Sequence, residues 1–308
     1  MSRKEIIDWL LDGDVAIQYQ VHRDLKGNVR PDLQQRMIKE GWGPRFLKQQ
    51  KADGHWGDRY YQPKWISTHY TLCDLRVLCF PQDFALITNI VNKVANEEKG
   101  ADGGIRCSPS LTPSDVCVNG MFLNFASYFG LEEAKLRSVV DFILSEHMMD
   151  GGFNCRSNRS GAKHSSLHTT LSILEGIATY LQCGYTYQLN KLKKAQKKAE
   201  EFILLHRFYL SDRTGQIIQK DFLRFAFPRR WKYDVLSALD YFSLAKRGWD
   251  PRMQEAVDLL MEKRRADGRW NLNAKHPGQT HIEMERAGQP SRWNTLRALR
   301  VLRHFHLN

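Results

Sequence analysis

The apolar residues of this chain fall into blocks with helical spacing. Val118, Met121, Phe122 and Phe125 form one run, and Leu167, Leu171, Leu174 and Ile177 another. Recurrence at three and four residues places such side chains on helix faces, while the period-two alternation of strands is nearly absent, so the pattern predicts an all-α protein. Two kinds of helix are expected. Stretches at 66–73, 115–129, 164–181, 232–245 and 291–305 are apolar on more than one face, as suits helices packed on several sides. Stretches at 82–98, 131–148, 188–207 and 250–264 carry charge along one side, as in Lys191, Lys193, Lys194, Lys197 and Lys198, and should face solvent. Residues 14–21 supply a sixth inner helix, and 3–11 and 31–50 complete the outer set. Six inner and six outer helices are the arithmetic of a closed (α/α)6 toroid spanning residues 1–308 as one domain.

A repeat organises these blocks. Ala52-Asp53-Gly54-His55-Trp56, Ala101-Asp102-Gly103-Gly104-Ile105, Asp150-Gly151-Gly152-Phe153 and Ala266-Asp267-Gly268-Arg269-Trp270 share one design, with a weaker copy at Asp212-Arg213-Thr214-Gly215. Glycines 54, 103, 151, 215 and 268 are separated by 49, 48, 64 and 53 residues. A period near fifty is the mark of a repeat architecture in which each unit contributes one helix pair.

Composition adds charge to this picture. Forty-six Lys and Arg against 34 Asp and Glu give a net +12, which favours anionic partners: phosphates or diphosphates, nucleic acid, a membrane surface. No apolar stretch approaches the ~18–20 residues of a membrane span. The N-terminus leads into Ile6-Ile7-Asp8-Trp9-Leu10-Leu11 without a secretory signal's apolar core and cleavage site, so a cytoplasmic location is expected. Six cysteines are too few for a disulfide scaffold, which leaves packing or metal binding.

Arg45 to Trp56, containing Gln50-Lys51-Ala52-Asp53-Gly54-His55-Trp56, resembles the Gln-x-x-x-Gly-x-Trp repeat of the squalene-cyclase and protein-prenyltransferase superfamily. His147–Phe153 and Arg264–Trp270 are degenerate copies, and the resemblance runs from about residue 43 to 305. It implies an α/α toroid with a central cavity. That fold hosts cyclases, transferases and non-catalytic domains, so function must come from a site.

Two candidate sites follow. Inner helices of a toroid gather their N-termini at one mouth, where free N–H groups suit anions. Arg106, Arg229, Arg230 and Arg292 lie closest to that mouth, with Trp293 beside Arg292 as an aromatic wall. His69, Tyr70 and Tyr233 belong to an aromatic set that could line an isoprenoid cavity. The second site is a metal cluster. Asp115 and Cys117 open one inner helix, and His168 opens the next at the matching position. Carboxylate, thiolate and imidazole form a normal zinc set that leaves one position open. This resembles the zinc site of the protein prenyltransferase β subunit, which implies Asp115, Cys117 and His168 as ligands, Arg106 on diphosphate, and a zinc-held thiolate attacking a prenyl diphosphate. The family's Tyr after the Cys and Lys three before the Asp are here Val118 and Thr112. That family also has a partner α subunit, which this sequence does not identify.

Alternatives remain open. Cys107 and Cys155 occupy the same point of successive repeats, and Cys107, Cys117, Cys155 and His168 could make a closed structural zinc site in a non-catalytic, basic binding module for nucleic acid or another acidic partner. Glu283 and Glu285 keep a carbohydrate-active α/α barrel in view, with Asp58 or Asp115 as the opposing carboxylate. The Asp-x-Asp-Asp acid of protonation-initiated cyclases and the Asp-Asp-x-x-Asp magnesium motif are absent from the sequence. Residues 271–289 are read either as a lid over the mouth or as a loop sealing the last repeat.

Overall fold

The computed structural model describes residues 1–108 and 113–307. Among these residues the regular structure is helical: α1 (Arg3–Leu11), α2 (Val15–Gln20), α3 (Pro31–Arg36), α4 (Gly43–Leu47), α5 (Thr68–Leu78), α6 (Ala85–Glu97), α7 (Val116–Tyr128), α8 (Glu133–Ser145), α9 (Ser157–Ser160), α10 (Leu167–Gln182), α11 (Leu189–Leu205), α12 (Val235–Leu244), α13 (Gln254–Glu262) and α14 (Arg292–His304). A π turn, Val21–Leu25, extends α2. Extended backbone is confined to isolated bridges. Among the described residues no helix is long and apolar enough to cross a membrane. The all-α expectation therefore stands, and the long apolar stretches become α5, α7, α10, α12 and α14. The expected helix over 31–50 does not form as one piece. Gly41 turns the chain at φ +72°, the Asp14 carboxylate accepts from the Trp42 N–H at 2.8 Å, and Pro44 starts a new helix.

The glycine turns explain the repeat. In four of them a backbone bond spans the turn: Lys51 N–H to His55 O, Gly100 to Gly104, Met148 to Gly152 and Arg265 to Arg269, at 2.7–3.0 Å. Gly54, Gly103, Gly151 and Gly268 sit at φ +84° to +94°, a region that glycine enters without steric cost. The next apolar residue then hooks the helix that follows. Trp56 N–H donates to Thr68 Oγ1 (3.0 Å), Ile105 to Asn119 Oδ1 (2.7 Å), Phe153 to Thr170 Oγ1 (3.0 Å) and Trp270 to Thr295 Oγ1 (3.0 Å). The turn at Gly215 closes differently, with Ser211 N–H on Gln216 O.

The chain packs into two compact units. One comprises Gln50–Arg76 and Gln82–Ile203, the other Met1–Gln49, Val77–Pro81 and Leu204–Asn308, of which Asn308 lies outside the described residues. The first unit centres on α7 against α10. Gly120 and Gly176 let the two backbones touch: a Cβ on Gly120 would lie 2.7 Å from the Ser172 carbonyl, and one on Gly176 would lie 2.5 Å from Gly120 O. Alanine is the better helix former by about 1 kcal/mol, but overpacking a close helix contact costs about 1–3 kcal/mol or more. Gly120→Ala should therefore lower the unfolding free energy by a net of about 1–2 kcal/mol in urea titration. An unchanged or raised midpoint would show that the two backbones can part freely.

The second unit packs α12 on α14 around a buried ionic network. Arg297 Nε lies 3.3 Å from Asp240 Oδ2, and its Nη2 donates to Ser237 Oγ at 2.6 Å. Arg300 lies 3.5 Å from Asp240 Oδ1 and 3.2 Å from Asp24 Oδ2, and donates to Gln20 Oε1 at 3.2 Å. Arg23 pairs with Asp24 and donates to Cys79 Sγ at 3.2 Å. Asp240, Arg297 and Arg300 are all under a tenth exposed.

Candidate functional site

The hooks fix the register between repeats. Counting back from Asn119 and Thr170 makes Cys117 and His168 equivalent, and counting on from Ile105 and Phe153 makes Cys107 and Cys155 equivalent. The structure then joins these residues in pairs. The Cys107 thiol donates to Asp115 Oδ2 at 3.1 Å, and Arg159 lies 3.0 Å from Asp115 Oδ1. The Cys117 N–H donates to Cys155 Sγ at 2.9 Å, and the Cys117 thiol hydrogen-bonds the same sulfur. Cys155 N–H in turn donates to Thr169 Oγ1 at 3.2 Å. All six cysteines are free thiols.

This arrangement sets the acidity of each thiol. Burial, then the neighbouring Asp115 carboxylate, pushes Cys107 well above the usual thiol range. Cys117 is raised because its thiol donates to Cys155, with burial adding to this. Cys155 is lowered by accepting from Cys117, which outweighs its own burial.

As they stand, the candidate zinc donors are engaged in pairs. Both Asp115 oxygens are engaged, one by the Cys107 thiol and the other by a guanidinium that would repel a divalent ion. Among the described residues no three His, Cys, Asp or Glu side chains are grouped to hold a metal. His168 is half-buried in the first turn of α10, where its carbonyl accepts from Ser172 Oγ. Thr112, read against the family's lysine, lies outside the described residues.

The residues expected at a ligand mouth are held in packing contacts. His69 is fully buried, with Nδ1 2.7 Å from the Tyr60 hydroxyl and its ring edge-on to Tyr70. Burial pushes its imidazole down to about 3. Tyr70 shares a 2.8 Å hydrogen bond with Tyr61. Tyr233 donates to Phe208 O at 2.7 Å, and Arg229 donates to Lys232 O at 2.9 Å. Arg230 adopts φ +61° in the same loop, and Arg106 follows the second glycine turn with its N–H on Glu98 O at 2.8 Å. Trp293 stacks on Phe227 at 4.6 Å and on Trp42 at 5.9 Å. Arg292 lies over Trp9 at 4.7 Å and donates to its carbonyl at 3.0 Å. The 271–289 loop closes onto α14, since Glu285 accepts from Ser291 Oγ and from the Arg292 (2.6 Å) and Trp293 (3.2 Å) N–H groups. Glu283 pairs with Lys275.

An open cavity of about 490 Å³ lies elsewhere in the second unit. It is lined by Arg3, Arg264, Arg303 and His306 together with Ile6, Leu299, Leu302 and Leu307, and among the described residues no carboxylate side chain lines it. The three arginines and His306 are exposed, while Ile6 and Leu302 are buried. The sequence reading missed this site because it joins the first helix to the last. The only local signal is the cationic end of α14, where Arg303 precedes the apolar Leu307 by one turn.

Fold and sites together define an all-helical protein built on repeated glycine turns clasped to following helices, with a thiol cluster in one unit and a cationic, apolar-floored cavity in the other. Comparison with protein-family models and with curated proteins gives no match.

Proposed function

We propose that this chain binds an anionic, partly apolar ligand of the isoprenoid diphosphate class, as a prenyltransferase- or terpenoid-cyclase-like protein whose six inner and six outer helices form an α/α toroid. The observation that supports the reading is the 490 Å³ cavity, which combines three arginines and a histidine with apolar lining residues. Its volume falls in the ~300–1,000 Å³ range of small-ligand sites. Guanidinium groups take phosphate oxygens through paired hydrogen bonds, and leucine and isoleucine side chains remove a hydrocarbon tail from water at roughly 0.8 kcal/mol per CH₂.

Thermal denaturation with three probes tests it. Farnesyl diphosphate should stabilise the protein, by about 2.7 kcal/mol at a hundredfold excess over Kd. Inorganic diphosphate and farnesol should each give a much smaller shift, because each engages only half of the site. In the Arg3→Glu/Arg264→Glu variant the farnesyl diphosphate shift should disappear while the unliganded midpoint stays close to that of the parent. A full shift with inorganic diphosphate alone, or a shift unchanged in the variant, would overturn the reading.

A further inference from the structure

The thiol cluster has a geometry suited to a second chemistry. We infer that Cys117 and Cys155 are a redox-active dithiol that closes to a disulfide by exchange with a low-molecular-weight disulfide. Cys117 directs its N–H onto the Cys155 sulfur at 2.9 Å. With an N–Cα bond of about 1.46 Å, the Cys117 Cα lies within about 4.4 Å of that sulfur, which places the Cys117 side chain beside its proposed partner. Cys107, the nearest competitor by repeat position, is committed to Asp115. Both members of the pair are half-buried rather than sealed, and Cys155 is followed by the exposed Arg156.

The exchange balances in two steps. The Cys155 thiol gives its proton to solvent and its sulfur attacks the small disulfide, forming a mixed disulfide and releasing one small thiolate, which takes up a proton. The Cys117 sulfur, its proton likewise lost to solvent, then attacks Cys155 and releases the second small thiol. Two protein thiols are oxidised to one disulfide while one small disulfide is reduced to two thiols. The product ties the start of α7 to the loop before α10, across 38 residues of chain.

The inference is independent of the ligand proposal and is tested on the full chain. Folded protein is equilibrated with glutathione and glutathione disulfide at a series of ratios, alkylated, digested and analysed by mass spectrometry. A Cys117–Cys155 linked peptide should appear under oxidising ratios and vanish under reducing ones. Cys117→Ser should instead accumulate a mixed disulfide with glutathione at Cys155. Alkylation of both thiols at the most oxidising ratio, a Cys107 crosslink in their place, or a stable mixed disulfide in the parent protein would overturn the inference. So would one equivalent of zinc in the reduced protein that is lost when Cys117 and Cys155 are alkylated. The parent-protein arms decide the matter even if the variant does not fold.

Discussion

Asp240→Ala is expected to lower the unfolding free energy by about 3–5 kcal/mol, the range seen when one partner of a buried ion pair is removed. Asp240 stands against both Arg297 and Arg300, and all three are almost wholly out of water. Without the carboxylate, Arg297 keeps only Ser237 Oγ as a named acceptor, and Arg300 leans on Asp24 and Gln20. Urea unfolding of the parent and variant measures the loss. A value under about 1 kcal/mol would mean that water reaches the guanidinium groups and that the pairs behave as surface ones. The same network sets an acid limit. Burial acts to raise the Asp24 carboxyl, but Arg300 and Arg23 outweigh it and hold the group below its ordinary value. Its contribution is therefore complete above the unfolded carboxyl value of about 4 and is lost as pH falls through the lower folded one.

The second large effect is a pH slope from His69. Its imidazole ionises near 6.5 in an unfolded chain and only at about 3 in the fold, because burial penalises the charged ring. Between those values the unfolded chain holds a proton that the native state lacks. Stability should be unaffected by this group above pH ~6.5. It should then fall by about 1.4 kcal/mol per pH unit and level off near pH 3, after a loss of about 4–5 kcal/mol. His276, pushed down to about 4 by burial and by Lys232, adds to the slope with the same sign. His69→Phe removes the titration. It also strands the Tyr60 hydroxyl, so the comparison must be of slopes rather than absolute stabilities. Unfolding free energies at pH 7, 6 and 5 should show the variant losing nearly one proton of pH dependence. Parallel lines for the two proteins would place the buried charge elsewhere.

The parts of the fold that could be read from sequence are those set by backbone conformation. Asp-Gly turns announce themselves because only glycine holds φ near +85° cheaply, and four of five obey one pattern of hydrogen bonds. Apolar periodicity located α7 and α12 because their burial on several sides leaves almost no polar face, whereas α14 also buries Arg297 and Arg300. The same periodicity over 31–50 concealed a break, since Gly41-Trp42-Gly43-Pro44 disrupts the helix without interrupting the apolar spacing. At the site, the repeat placed Cys107 and Cys155 in equivalent positions. It could not say that one would choose Asp115 and the other Cys117. Residues 154–166, which include Cys155, carry the short helix α9 and a turn at Gly161 with φ +67°. The cationic residues chosen for lying near helix starts were partly drawn into packing, as Arg292 over Trp9 shows. Those around the cavity come from opposite ends of the chain, and no local pattern links Arg3 to Arg303.

The hooks have an evolutionary consequence. Each fastens both ends of the segment it encloses, and those segments differ in length: 12, 14, 17 and 25 residues from hook donor to acceptor. A segment clamped at its base can be lengthened or rewritten at small entropic expense, since doubling a loop adds only about 0.6 kcal/mol. Every clasp thus frames an interchangeable cassette, and descendants of this scaffold could acquire new chemistry by replacing a cassette while leaving the helices untouched.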